Sequence, residues 1–120
     1  MVRENILIVS ANFKKAYPII RSVNKLGYRT IGGFYAWRSP VFSRYLNKRY
    51  KISNPYIDSI AYVKQLLHII KKEGPIMIIP VGFIDNLILS KYKYVFPKKI
   101  IIPVPDFSSF KIVSNKAKLA

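Results

Sequence analysis

Two short loops carry the groups best suited to contact a ligand. The first, Ser10-Ala11-Asn12-Phe13, follows an apolar run of strand length and precedes a helical pattern. Backbone N–H groups at such a helix start favour an anion, because the helix dipole is positive there. The loop has none of the glycines that let a backbone approach a pyrophosphate closely, so we expect no NAD-type site. An ordinary strand-to-helix turn would explain the same residues.

The second loop is Pro80-Val81-Gly82-Phe83-Ile84-Asp85. Gly82 permits a sharp turn, and the Asp85 carboxylate can accept hydrogen bonds from a ligand. Asp85 equally suits the first turn of a helix, where the dipole favours negative charge, and the residues alone favour that interpretation. The candidate substrate-binding residues are Ser10, Ala11, Asn12, Phe13, Pro80, Gly82 and Asp85.

The residue inventory excludes several chemistries. Cys is absent, which removes disulfides, thiolate metal sites and cysteine nucleophiles. The single histidine, His68, falls inside a helical pattern with no acid or serine partner nearby in sequence, so we expect a packing or surface role. Only five Asp and Glu residues accompany 21 Lys and Arg. A Mg²⁺ site or a pair of catalytic carboxylates needs several Asp or Glu side chains, and this chain has few. No catalytic or metal-binding residue is therefore predicted.

The formal net charge of +16 predicts a negatively charged partner. That partner is either a nucleic acid or phosphate ligand, or an acidic part of the same protein outside this chain. The stretch Trp37–Lys51, WRSPVFSRYLNKRYK, interleaves aromatic rings with cations, as single-stranded nucleic acid requires. The structural interpretation is that Phe42 and Tyr45 pack a connecting segment onto the sheet edge. The basic composition of the whole chain favours this second interpretation.

The elements that position the two loops are strands alternating with helices. Apolar or alternating runs of strand length lie at 6–9, 29–34, 49–53, 76–79 and 99–102. Helical patterns lie at 16–26, between a cap at Asp58 or Ser59 and Gly74-Pro75, and at 84–92, with a last turn at 106–110. Gly27 and Gly74 follow the first two helical patterns, as expected of C-terminal caps, and either Asp58 or Ser59 suits the N-terminal cap of the second. The alternation predicts a three-layer α/β fold with a mostly parallel, Rossmann-like sheet, in which ligands bind at the carboxyl ends of the strands.

Length and hydropathy set the class of protein. At 120 residues and 51% hydrophobic composition, the chain is predicted to fold as one domain. Its longest apolar run is about half of the roughly 20 residues that a membrane-spanning helix needs. The N-terminus lacks the long apolar region and cleavage site of a signal peptide. We therefore expect a cytoplasmic protein with no membrane partner.

Four segments, taken in order, carry a family likeness. Residues 6–31 read ILIVSANFKKAYPIIRSVNKLGYRTI, and residues 43–55 contain S-R-Y, R-Y and N-P. Residues 78–90 contain I-I-P-V-G followed by L-S, and Asn115-Lys116 stands near the end. This order resembles the N-terminal domain that precedes the ATP-grasp module, particularly in ligases related to the carbamoyl-phosphate synthase large subunit. The chain departs from that family at S-A-N-F, where glycine is frequent, and at Asn115, where an acid is common.

The resemblance implies a role in an enzyme that is larger than this chain. ATP-grasp ligases phosphorylate a carboxylate with ATP and let an amine displace the phosphate, and their N-terminal domain helps to hold the acceptor substrate. ATP and Mg²⁺ are bound mainly by the later module, so no cofactor is expected for this chain alone. Lys116 matches a recurrent ATP-contacting position, where an ammonium group neutralises phosphate charge.

The resemblance also divides the chain. Residues 1–113 form the pre-ATP-grasp domain, and residues 114–120, SNKAKLA, form the linker and first helical turn of a missing ATP-grasp module. Ser114 and Asn115 suit a helix cap, and the following residues are strong helix formers. The expected function is the non-catalytic, substrate-side domain of a carboxylate–amine ligase. Two alternatives stay open: a small basic nucleic-acid-binding module, and a stand-alone interaction domain of the same fold.

Overall fold

The computed structural model describes residues 3–11, 14–35 and 44–104. The strands are β1 (Asn5–Val9), β2 (Arg29–Phe34), β3 (Lys48–Lys51) and β4 (Met77–Pro80). The helices are α1 (Ala16–Lys25), α2 (Ser59–Glu73) and α3 (Phe83–Lys91), followed by a single 3-10 turn at Lys93–Val95. None of the described helices is both long and apolar enough to cross a bilayer.

The described strands form one parallel sheet in the order β3-β2-β1-β4. Side chains of β1 point alternately to the two faces, so Ile6 and Ile8 pack against α1, while Leu7 and Val9 pack on the opposite face. There, residues of α2 and α3 such as Leu66 complete the second core. The predicted three-layer, parallel α/β fold is confirmed.

The segment 99–102, predicted as a fifth strand, contributes only an isolated parallel bridge between Ile101 and Met77. The Ile78 N–H donates to the Ile101 carbonyl at 2.9 Å, and the Ile101 N–H donates to the Ile76 carbonyl at 3.0 Å. Pro103 follows two residues later and has no N–H to continue the ladder. The sheet therefore has four full strands in the described part of the chain.

Both predicted ends of α2 are confirmed by local geometry. The Asp58 carboxylate accepts a hydrogen bond from the Ala61 N–H at 3.0 Å, which satisfies a donor at the helix start. Gly74 has a φ of +59° in the left-handed region, and its N–H donates to the Ile70 carbonyl at 2.8 Å. Glycine adopts this conformation without the steric cost that a Cβ brings, so the helix ends there.

A polar cluster, here called the Glu73 network, joins the end of α2 to the amino edge of the sheet. The Glu73 carboxylate accepts from Arg29 Nη1 at 3.1 Å and from Lys48 Nζ at 2.7 Å. It also accepts from the Tyr50 hydroxyl. The Glu73 carbonyl accepts from Asn5 Nδ2 at 2.6 Å, so residues of three strands contact one residue of α2. The hydrogen bond from Lys48 is the main cause that lowers the pKa of Glu73 to about 2.

Several predictions from the sequence lie outside the described residues. They are Asn12, Phe13, the aromatic residues Trp37 and Phe42, the helical turn at 106–110, and the helix start at 114–120 with Lys116.

Candidate functional site

The fold brings the two candidate loops together at the carboxyl edge of the sheet. β1 and β4 are neighbours, with Val9 opposite Pro80. The first candidate loop, which begins at Ser10, therefore lies beside the second, which begins at Pro80. The Val81 N–H donates to the Val9 carbonyl at 3.2 Å, which extends the pairing into the second loop. Parallel strands end at one edge, and this is where open α/β sheets bind ligands.

Ser10 occupies an unusual backbone conformation in the first loop. Its φ is +63°, in the left-handed region that costs a residue with a Cβ about 1–2 kcal/mol. The side chain is fully buried, and its hydroxyl lies near the Asp85 carboxylate. The next residue, Ala11, is also buried, and its N–H donates to the Gly33 carbonyl at 2.9 Å. Ser10 therefore holds the position at which glycine would be unstrained.

Asp85 lies in the first turn of α3 and is fully buried. One carboxylate oxygen accepts from the Tyr62 hydroxyl at 2.5 Å, and the other accepts from the Gly82 N–H at 3.1 Å. The second bond caps the helix start, while the first joins α3 to α2. This geometry matches the helix-start alternative for Asp85, and its contact with a substrate stays a prediction.

Burial and hydrogen bonding act in opposite directions on Asp85. Burial raises the pKa of the Asp85 carboxyl because the charged form loses its water. The nearby Ser10 hydroxyl, the Tyr62 hydroxyl and the Gly82 N–H oppose that rise, and the positive charge of Lys15 adds to them. Burial and the carboxylate both raise the pKa of Tyr62, which keeps that hydroxyl protonated as a donor. Asp85 thus forms a buried polar link.

The described residues do not fit a Mg²⁺ site. They contain no group of three His, Cys, Asp or Glu side chains arranged to hold a metal. Asp58 caps α2, Glu73 lies at the opposite edge of the sheet, and both oxygens of Asp85 accept protein donors. Mg²⁺ requires several oxygen ligands in near-octahedral geometry. No metal-dependent step is therefore assigned to the described residues.

Exposed apolar side chains lie beside the candidate loops. This apolar rim consists of Tyr56, Ile57, Ile60 and Phe83, whose exposed fractions range from 58% to 83%. The first three lie at or just before the start of α2, and Phe83 begins α3, so the rim lies at the carboxyl edge. The sequence patterns do not predict this surface, although its residues cluster at two helix starts.

A basic groove lies elsewhere, along the outer side of α1. It has a volume of about 620 Å³, and its lining includes Tyr17, Pro18, Arg21, Ser22, Lys25 and Tyr45. Tyr45 packs against the core on the α1 face, as the structural interpretation of its segment expects. The sequence patterns do not predict that α1 lines a groove. The signal is nevertheless present, because Tyr17, Arg21 and Lys25 follow each other at spacings of four residues on one helical face.

Comparison with known proteins finds solved structures that have a similar fold. No family model and no curated protein matches the chain. One similar solved structure is described as the biotin carboxylase domain of a single-chain bacterial carboxylase, with 18% identity and a TM-score of 0.59. A second, described as a single-chain, multi-domain long-chain acyl-CoA carboxylase, has 23% identity and a TM-score of 0.62. The matches cover 90% and 92% of this chain but only 25% and 12% of those chains.

Proposed function

We propose that this chain is the N-terminal, substrate-side domain of an ATP-grasp ligase and works only together with a further module. The observation that carries the proposal is the coverage of the structural matches. Nearly all of this chain corresponds to about a quarter or less of each matching chain. The biotin carboxylase domains that match are ATP-grasp enzymes with a pre-ATP-grasp domain of this α/β type.

The exposed apolar rim supports a module packed at the carboxyl edge. Ile57 is 83% exposed and Phe83 is 63% exposed, although each would be stabilised by removal from water. Ile101 pairs in parallel with Met77, so residues 102–104 run toward the same edge. A folded unit that covered the rim would bury its apolar side chains.

The charge distribution supports the same proposal. The four acids in the described part of the chain include three that accept hydrogen bonds within the fold: Asp58, Glu73 and Asp85. The remaining surface is strongly basic, since the whole chain carries a formal net charge of +16. An adjoining module with acidic residues would complement this surface and would also supply the carboxylates that Mg²⁺ binding needs.

In the proposed enzyme, ATP phosphorylates an acceptor carboxylate, and an amine then displaces the phosphate from the acyl phosphate. The residues of this chain bind and orient the acceptor at the loops that begin with Ser10 and Pro80. Lys116 is assigned to ATP, where its ammonium group would neutralise phosphate charge. The relation to carbamoyl-phosphate synthase is the narrower part of the proposal, because the matching structures are described as carboxylases.

The proposal is tested by joining this chain to the coding sequence that follows Ala120 in its gene. We expect that frame to continue into a module of roughly 200 residues, the usual size of a domain. The joined protein should release ADP when a carboxylate and an amine are supplied, and this chain alone should not. Lys116→Ala should raise the KM for ATP, whereas Lys118→Ala, two residues away, serves as the matched control and should not.

A second measurement separates the acceptor loops from the ATP site. Asn12→Ala should raise the KM for the carboxylate acceptor while leaving the KM for ATP unchanged, which makes ATP the internal control. An unchanged acceptor KM would remove the first loop from the substrate site. A downstream sequence without an ATP-grasp module, and without one encoded nearby, would contradict the proposed function itself.

A further inference from the structure

The groove along α1 has two walls that are fixed by the fold. One wall is the outer face of α1, and Tyr45 lines the other. The Thr30 hydroxyl donates to the Tyr45 carbonyl, and the Thr30 N–H donates to Asn47 Oδ1 at 2.9 Å. Asn24 of α1 donates to the same Asn47 oxygen at 3.3 Å. These hydrogen bonds hold the segment that contains Tyr45 and Asn47 beside α1, so the groove is preformed.

Cations converge on this groove from both walls. Arg44 Nη2 donates to the Tyr45 hydroxyl at 3.0 Å, and the Arg44 guanidinium lies 5.1 Å from the Tyr45 ring centroid. The hydrogen bond from Arg44 is the main cause that lowers the pKa of Tyr45, and the charges of Lys25 and Arg21 lower it further. Arg29 and Lys48 form ion pairs with Glu73 at the amino edge of the sheet and do not line the groove.

Aromatic surface accompanies these charges. Tyr17 is 43% exposed at the groove, and Tyr45 forms part of the facing wall. No acid is found among the described residues that line the groove. Its volume of about 620 Å³ lies within the range of roughly 300–1,000 Å³ that is typical of small-ligand sites. An aromatic floor with a cationic border suits a planar ring that carries a phosphate.

We propose that this groove is a nucleotide-binding site. The base packs against the tyrosine rings, and the phosphates lie near Arg21, Lys25 and Arg44. A free nucleotide and one unit of a single strand present the same chemistry to the groove. The net charge of +16 favours the strand, because each added phosphate gains from the surrounding positive field. This assignment does not depend on the ligase proposed above, since no described residue of the two candidate loops lines the groove.

The test measures binding of a fluorescein-labelled single strand of about 12 nucleotides, a length within the range that one domain covers. Fluorescence anisotropy is recorded over a series of salt concentrations. The variant Arg21→Ala/Lys25→Ala should bind more weakly, with a slope of log K against log salt that is shallower by about 1.4, since each phosphate contact contributes about 0.7. The pair Lys93→Ala/Lys98→Ala removes the same charge from exposed positions and should change the slope little.

A second matched pair tests the aromatic part of the site. Tyr17→Ala should weaken binding about 5- to 140-fold, the usual loss of one base-stacking ring. Tyr94→Ala removes an equally large ring that is 83% exposed and should change binding less than twofold, within about the error of such measurements. Far-UV circular dichroism of each variant confirms that the fold is kept. Both tyrosines are exposed, so neither change opens a cavity in the core.

Competition with an unlabelled mononucleotide distinguishes the two sources of ligand. Displacement of the strand by the mononucleotide, lost in the groove variants, supports a site for free nucleotides. Binding of the strand alone, with the same sensitivity to the variants, supports a single-strand site. Absence of binding by both at low salt would overturn the proposal. Equal loss of strand affinity in Arg21→Ala/Lys25→Ala and in Lys93→Ala/Lys98→Ala would also overturn it. Binding would then depend only on the overall positive charge of the surface and not on the groove.

Discussion

Replacing Glu73 by Gln should destabilise the protein in a manner that depends on pH. The change removes the negative charge from the Glu73 network but keeps the size of the side chain. Arg29 and Lys48 then lose their counter-charge at the amino edge of the sheet. Because the Glu73 side chain contacts residues of β2 and β3, the loss acts where α2 is joined to the sheet.

The magnitude follows from the pKa of Glu73, which falls from 4.5 to about 2 in the folded protein. A difference of that size corresponds to an upper limit of about 3.4 kcal/mol, at about 1.36 kcal/mol for each pKa unit. The Glu73 side chain is 9% exposed, but those of Arg29 and Lys48 are 32% and 37% exposed. Solvent screening of such partners reduces the expected loss at pH 7 to about 1–2 kcal/mol.

The pH dependence has a definite sign. A carboxyl whose pKa is lower in the folded state stabilises the fold above its unfolded pKa, and this stability is lost as the pH falls through the folded pKa. The wild type should therefore lose its advantage over Glu73→Gln between about pH 4.5 and pH 2. The measurement is urea unfolding followed by circular dichroism at pH 7, 5.5, 4 and 3, values that extend from above that range into it.

Glu4→Gln is the matched control, because it changes the net charge equally at an exposed position. Among the described residues, Glu4 forms no ion pair. Its effect at pH 7 should stay within about 0.5 kcal/mol, as for most surface substitutions. Two results would contradict this prediction. One is an equal loss of unfolding free energy by Glu73→Gln and Glu4→Gln at pH 7. The other is a loss by Glu73→Gln, relative to the wild type, that is as large at pH 3 as at pH 7.

Three further predictions concern the carboxyl edge and the end of α2, each measured by urea unfolding. Asp85→Ala should cost about 2–4 kcal/mol, because it leaves the buried Tyr62 hydroxyl and the Gly82 N–H without their acceptor; a loss below 1 kcal/mol, the lower bound for one such group, would contradict this. Ser10→Gly should be more stable than Ser10→Ala by about 1 kcal/mol, since both lack the hydroxyl and only Gly relieves the left-handed backbone. Equal stabilities would show that the backbone is unstrained. Gly74→Ala should cost about 1 kcal/mol through backbone strain alone, because an added Cβ would meet no atom within 4 Å; an unchanged midpoint would exclude this strain.

Elements whose signals are local could be predicted from the sequence. The start of α2 at Ser59 follows from the capping residue Asp58, and its end follows from Gly74. The central strands follow from short apolar runs that are buried on both faces of the sheet. The placement of the candidate loops at one edge also follows, because all parallel strands end there.

Features that depend on tertiary contact could not be predicted. Tyr62 and Asp85 are 23 residues apart, and no local pattern reveals that one hydroxyl will reach the other's carboxylate. The groove along α1 exists because Asn47 is held to both Thr30 and Asn24, which are far from it in sequence. The run 99–102 has the composition of a strand, yet its pairing partner is only the start of β4, and Pro103 prevents an extended ladder.

Asp85 and Glu73 show why the acids of this chain are unlike those of a metal-dependent active site. Hydrogen bonds from cations lower the pKa of Glu73, whereas burial raises that of Asp85, so the two contribute to stability with opposite pH dependence. The raised pKa of Asp85 means that its carboxylate destabilises the fold as the pH rises above 3.8, the value it has when unfolded. Tyr62 and Gly82 limit that cost only while both donate to Asp85. A ligand hydroxyl or a Mg²⁺ ion that competed for this carboxylate would have to replace both donors within a closed core. If the proposed ligase requires carboxylates around Mg²⁺, the physical reason to look for them in an adjoining module is that Asp58, Glu73 and Asp85 already accept hydrogen bonds within this domain.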